Sequence, residues 1–139
     1  MHGKGEPSAG FALLALRVAG GAFLLPHALA KMTSWFGGGG IAGFQGELAM
    51  FGFPDAAPLA WALALSQGIL GLLVALGAFT RPAAFAAAVY LGMTVALNAG
   101  NGWFWMGRGI EYPLMWTMVL VAVGLLGPGQ FSIDRVLDR

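Results

Sequence analysis

Apolar and polar positions alternate along this chain in long blocks. Ala9 to about Ala30 is an apolar run interrupted by Arg17 and, near its end, by His27. At 1.5 Å per residue it is long enough to cross a hydrocarbon core roughly 30 Å thick. Residues 32–56 are too polar and glycine-rich to cross. Within them Ile41, Phe44, Leu48 and Phe51 recur at i, i+3, i+7 and i+10, one stripe of a short amphipathic helix. Such a helix can lie along the membrane surface or cap a mouth between helices. Gly52-Phe53-Pro54-Asp55 ends it. A second apolar run covers about Ala57 to Phe79, with Pro58 suited to a first helical turn. Thr80-Arg81-Pro82 reads as a tight turn into a third run, about Ala83 to Asn98. The fourth begins at Glu111, has Pro113 in its first turn, and stops at Gly127-Pro128-Gly129.

The pattern predicts one all-α domain over residues 1–139. Its architecture is a membrane four-helix bundle with spans at about 9–30, 57–79, 83–98 and 111–127. A short interfacial helix lies between spans one and two. The fourth span is short, so it starts upstream or sits where the bilayer thins. Lys4, the first apolar run and Ala28-Leu29-Ala30 mimic a signal peptide, but Arg17 interrupts the apolar region, so the run is expected to stay as a span. In span two, Ala60, Ala64 and Gly68 recur every four residues, followed by Gly71 and Ala75. Small residues of this kind let helix backbones approach closely in lipid. The short link makes spans two and three antiparallel neighbours. Trp35-Phe36 and Trp103-Phe104-Trp105 are aromatic anchors for membrane–water boundaries.

Composition agrees: 58% of the 139 residues are hydrophobic and 9% charged, against about a quarter charged in soluble proteins. A net charge of +1 gives no footprint for nucleic acid. With no cysteine and two histidines, the chain has no thiolate metal site or thiol chemistry, and a two-histidine haem is not expected. Met115 and Met118 read as packing residues rather than copper ligands. No intrinsic cofactor or metal is expected, so a redox role would borrow its cofactor. Basic residues give the orientation. Lys4, Arg81, Arg135 and Arg139 lie on the side of both termini, and Lys31 and Arg108 on the other. This places both termini in the cytoplasm of a multi-pass protein of the cell membrane.

The candidate chemistry centres on Pro26-His27-x-x-x-Lys31. His27 and Lys31 are four apart and share a helix face. Arg17 is expected about 40° round the same helix and about 21 Å along it, so three nitrogenous groups share one arc. Gln67, mid-span in the second run, needs a polar partner, and Arg17 is the expected one. His27, Lys31, Glu47, Asn98, Asn101, Arg108 and Glu111 are expected together near the outer face. His27, Lys31 and Glu111 would converge in a polar mouth beneath residues 41–51. The candidate ligand-binding set is therefore Arg17, His27, Lys31, Gln67 and Glu111.

Several motifs resemble the DoxX family of small four-helix membrane proteins. They are Arg17 inside the first span, Pro26-His27-x-x-x-Lys31, Trp35-Phe36-Gly37-Gly38, Leu76-Gly77-x-Phe79-Thr80-Arg81, Asn101-Gly102-Trp103-Phe104, Glu111-Tyr112-Pro113-Leu114 and Leu126-Gly127-Pro128-Gly129-Gln130-x-Ser132-x-Asp134-Arg135. The resemblance runs from about residue 10 to the C-terminus. One departure is Gln67, where the family often has a glutamate. The resemblance implies a bundle in the cytoplasmic membrane. Some relatives look like subunits of quinone-linked sulfur oxidation complexes, and others are tied to oxidative-stress assemblies.

Three functions are open at this point. The first is an accessory subunit of a quinone-linked oxidoreductase. There His27 would donate hydrogen bonds and protons, Lys31 and Arg17 would stabilise negative charge on the ring, and Glu111 or Glu47 would relay protons or neutralise Lys31. The second is a non-enzymatic membrane anchor or assembly subunit, its charges locking helices together. The third is a small-solute carrier. Partner subunits or a homo-oligomer are expected in addition to the lipid bilayer.

Overall fold

A computed structural model of the chain describes residues 6–139. His2 and Lys4, the latter counted in the charge argument, lie outside the described residues. Those that are described form helices and connecting loops, with no strand among them.

The first apolar run is one rod, Pro7–Met32. It is built from α1 (Pro7–Arg17), a π-helical turn (Val18–Ala22) and α2 (Leu24–Met32). The amphipathic stripe forms α3 (Gly40–Met50), and α4 (Ala57–Leu76) follows it. Then come α5 (Thr80–Asn98), α6 (Glu111–Leu126) and a short tail helix, α7 (Ile133–Leu137). Pro7–Met32, Ala57–Leu76 and Thr80–Asn101 are long and apolar enough to cross a membrane, and Glu111–Leu126 is a shorter apolar helix. The first rod packs on α4 and, through its lower half, on α6. The α5 helix fills the remaining side between α4 and α6.

The expected turn at Thr80-Arg81-Pro82 is displaced. The turn is Gly77-Ala78-Phe79, and Thr80 already opens α5. Two things allow this. Pro82 sits in a first helical turn, where no backbone N–H is needed. The Asp134 carboxylate, reaching in from the tail, accepts hydrogen bonds from the N–H groups of Phe79 (2.8 Å) and Thr80 (2.9 Å) and from the Thr80 hydroxyl (2.7 Å). A carboxylate at a helix N-terminus satisfies orphan donors and complements the dipole. Gly77 has φ +71°, and a Cβ there would press on the Arg17 guanidinium and Ser132, so glycine fits the turn on both counts.

The height of the first rod against α4 is set by small residues. A Cβ on Gly71 would lie 2.7 Å from the Gly21 carbonyl oxygen, and one on Gly21 would lie 2.7 Å from the Ala75 nitrogen. The two helices therefore cross backbone to backbone. Residue 21 is the fifteenth of its 26-residue rod, yet it meets the last two turns of α4. The rod consequently begins below α4 and ends near α4's midpoint. Its C-terminal end reaches the first half of α4 only through Met32, at the edge of the cluster there. There α3 takes over: Phe44 and Leu48 are buried against Ala60 and Ala64, with Ile41 half-buried beside them.

Burial is the largest single influence and raises the Asp134 pKa, but the hydrogen bonds from Thr80 and Phe79 and the Arg17 charge together outweigh it and hold it below the ordinary aspartate value. A depressed folded-state pKa contributes stability that is present above the unfolded value, about 3.9, and is lost as pH falls through the folded one. Docking of the tail should thus be constant from neutral pH down to about 4 and weaken below it. Asp134→Asn should abolish that acid-range dependence. Limited proteolysis of the tail across this range checks both outcomes.

Candidate functional site

The sequence places Arg17 and Lys31 on one arc, and the structure separates them. The π-helical turn between them winds less per residue than an α-helix, since its bonds run i to i+5 rather than i to i+4. Arg17 is 2% exposed and spends its donors on backbone carbonyls. Its Nε donates to Val74 (3.1 Å), one Nη to Ala75 (2.7 Å), and the other to Pro128 (3.0 Å) and Phe131 (2.7 Å). Val74 and Ala75 supply carbonyls of the last turn of α4, the negative end of its dipole; the Val74 carbonyl also accepts the Gly77 N–H at 3.2 Å. Arg17 therefore closes the end of α4 onto the tail. It does not reach Gln67 and does not border the cavity described next, because the rod starts low and brings residue 17 level with α4's C-terminus.

Gln67 is instead bonded by Lys31. The Lys31 Nζ lies 2.5 Å from Gln67 Oε1 and 3.3 Å from the Tyr90 hydroxyl. The same Nζ is 4.7 Å from the centre of the Phe44 ring and 5.3 Å from that of Tyr90, within cation–π range. Tyr90 donates to Gln67 Oε1 at 3.4 Å. An ammonium is thus held by a neutral amide oxygen, a phenol and two ring faces. This happens halfway along α4 and α5, deeper than the outer face the sequence suggests, because the rod ends at that level.

On the facing wall, His27 Nε2 is hydrogen-bonded to the Tyr112 hydroxyl at 3.0 Å. The His27 ring stands edge-on to Trp116, centroids 5.2 Å apart, and Tyr112 packs on the same indole at 5.3 Å. Trp116 Nε1 donates to the Gly20 carbonyl, 2.9 Å away in the π-helical turn. That bond ties α6 to the one irregular turn of the first rod. Between the two walls is a cavity of about 480 Å³, roofed by Phe44 and Glu47 of α3 and by Gly38–Gly40. That volume lies in the range of small-molecule sites, about 300–1,000 Å³. The glycines leave the roof without side chains.

Glu111 is not part of this cavity. Its carboxylate accepts the Trp105 N–H at 2.8 Å, and its own N–H bonds to the Trp103 carbonyl. Together with the bond from Ile110 N–H to the Gly102 carbonyl, this folds residues 102–111 into a closed loop. Asn101 likewise serves the loop, donating to Asn98 and to the Arg108 carbonyl. Of the five candidate residues, the structure brings together His27, Lys31 and Gln67, and it assigns Arg17 and Glu111 to other ends of the fold. It adds Tyr90, Tyr112, Trp116 and Phe44. A signal for two of these was available: the chain has only two tyrosines, and both line the cavity. No group of three or more His, Cys, Asp or Glu able to hold a metal occurs among the described residues.

These features define a helical, multi-pass membrane protein with a polar cavity among apolar helices. A family model, DoxX, matches residues 12–100, and the chain belongs to the DoxX family. That match runs from within the first rod through α5 and ends before the Tyr112–Trp116 wall. No curated protein matches the chain, and no solved structure does.

The geometry separates two kinds of polar residue by experiment. Arg17→Leu removes four hydrogen bonds to carbonyls, and unsatisfied buried groups cost about 1–3 kcal/mol each; the melting temperature in detergent should fall clearly. Gln67→Glu gives Lys31 a charged partner, so it should leave that temperature unchanged or raise it. A stable Arg17→Leu protein beside a destabilised Gln67→Glu one would contradict both assignments.

Proposed function

We propose that this protein is a membrane subunit of a redox-linked complex and holds a quinone, or a similar carbonyl-bearing apolar ligand, in the cavity between Lys31 and His27. The observation that carries the reading is the state of Lys31. A cation sits among apolar helices with neutral hydrogen-bonding partners and faces an open volume. Charged groups inside membrane proteins ordinarily pair or mark a functional path. Lys31 and Tyr90 supply N–H and O–H donors for an acceptor oxygen, and Lys31 favours negative charge developing there. His27, bonded to Tyr112, supplies an imidazole whose ordinary pKa suits proton exchange near neutrality. Trp116, Tyr112 and Phe44 give flat apolar walls for a ring. A quinone would supply the two-electron redox chemistry that no side chain of this chain provides.

The reading includes a topology. Four spans form a bundle in the cell membrane with both termini cytoplasmic and α3 at the outer interface. Helix α6, about 24 Å long by its 16 residues, is the short span. Its preceding loop carries Trp103, Phe104 and Trp105 exposed on a backbone that bonds to itself, which suits an interface. The Arg17 and Asp134 clasp favours the assembly-subunit reading for that end of the molecule only. Its charges serve the fold, and they surround no comparable polar site in the bundle interior.

Two measurements check this. A substituted benzoquinone titrated into detergent-solubilised protein should bind saturably, and Lys31→Met should weaken it by about 10- to 100-fold, the value of a charge-assisted hydrogen bond. Equal affinity for both proteins would refute the site. For topology, single cysteines at Ser8, Arg81 and Asp138 should resist an impermeant thiol reagent on intact cells, and one at Gly39 should react. Labelling at Arg81 from outside would invert the orientation.

A further inference from the structure

A second, apolar cavity of about 180 Å³ adjoins the first. The two share Lys31, Phe44, Glu47, Tyr90 and Thr94 on their walls. Beyond that shared boundary the linings diverge. The larger cavity is walled by Gln67, His27 and Tyr112, whereas the smaller runs on between Phe51, Phe53, Leu59, Leu63, Met93 and Leu97. Helix α3 packs closely on α2 and α4 but scarcely approaches α5. The smaller cavity occupies that gap. Met93 and Leu97, on the α5 side of the gap, are 50% and 37% exposed, so they also face outward from the bundle.

We infer that the two cavities form one site for a single-chain amphiphile, its oxygen-bearing head against Lys31 and its chain in the slot between α3 and α5. The inference deepens the ligand reading above and rests on it for the head group alone. Apart from Asn98 on the wall of the smaller cavity, the polar groups lie at one end and the apolar ones at the other, with Lys31 at the junction. An oxygen acceptor at Lys31 would therefore leave its apolar substituent pointing into the slot. At about 180 Å³ the slot is smaller than whole small-molecule sites of about 300–1,000 Å³, so it holds only a short stretch of alkyl chain. A longer chain must emerge through the gap beside Met93, into lipid. The ligand is thereby drawn sideways from the bilayer. Hydrocarbon is as apolar as leucine, so the slot selects by shape: it admits one unbranched or slender chain and excludes a two-chain phospholipid.

The test fills the slot. Three probes are titrated into the full-length protein in detergent: a chainless benzoquinone, the same head with a decyl chain, and decanoate. The proteins are wild type, Leu63→Trp and Met93→Trp. The decyl quinone and decanoate should bind wild type, and both tryptophan variants should weaken them at least tenfold. The chainless quinone should be unaffected, which also shows that the variants remain folded. Unchanged decyl-quinone affinity in both variants would overturn the slot while leaving the quinone head site standing. Decanoate binding that the variants abolish, with no quinone bound at all, would retain the slot and overturn the quinone reading. Loss of the chainless quinone together with the decyl form would show that the substitutions act on the head site and would overturn the separate slot. No binding of any probe to wild type would overturn both.

Discussion

The contact on which the rest depends is the meeting of Gly21 with Gly71. Two backbones that touch cannot slide without losing their fit, so the height of the first rod is fixed there. Because the contact lies late in α4 and midway along the rod, the rod stops halfway up α4. Everything above that level follows. The upper half of α4 needs another cover, and α3 supplies it with Phe44 and Leu48. The last turn of the rod, with Lys31, comes to rest inside the bundle rather than at its rim. A glycine pair thus places a lysine beside a mid-helix glutamine more than two turns away.

The lower end obeys a complementary constraint. Arg17 cannot shed its charge, and burial is tolerable only if its donors are met. They are met by carbonyls at the end of α4 and in the tail. Asp134 does the converse, accepting the free donors of α5. The two side chains sit at opposite poles of neighbouring helices and bind the tail between them. This explains why a 2%-exposed arginine need not indicate a ligand.

The helical segments could be read from hydropathy because each long element carries a continuous apolar block with breakers at its ends. The α3 stripe was legible for the same reason, from the spacing of Phe44 and Leu48. The turn at residue 77 was obscured because its helix start is capped by Asp134, more than fifty residues away. The site was half legible. His27 and Lys31 stand on one face of one helix, so local spacing found them. Gln67 was flagged by polarity, but pairing it with Arg17 assumed the two at one depth, just as placing Arg17 on the arc of Lys31 assumed an unbroken α-helical winding. The π-helical turn breaks that winding, and no residue pattern short of the Gly20–Gly21 pair marks it. Glu111 shared the expected depth of Lys31 only if all helices were level, and they are not. The DoxX match confirms the family over residues 12–100 and leaves the Tyr112–Trp116 wall to be read from geometry alone.

The clasp at Arg17 also bears on how the chain is assembled. Arg17 and its partner carbonyl on Pro128 are 111 residues apart. A ribosome therefore delivers the arginine to the membrane long before those acceptors exist. In that interval the guanidinium must keep water or lipid headgroups around it, which holds the first helix near the bilayer surface. Synthesis of the last helix and its tail releases it from that position. Insertion of the first segment and closure of the bundle are in this way separate events, and a chain interrupted after α5 would carry a guanidinium with only its α4 acceptors, Val74 and Ala75, in place.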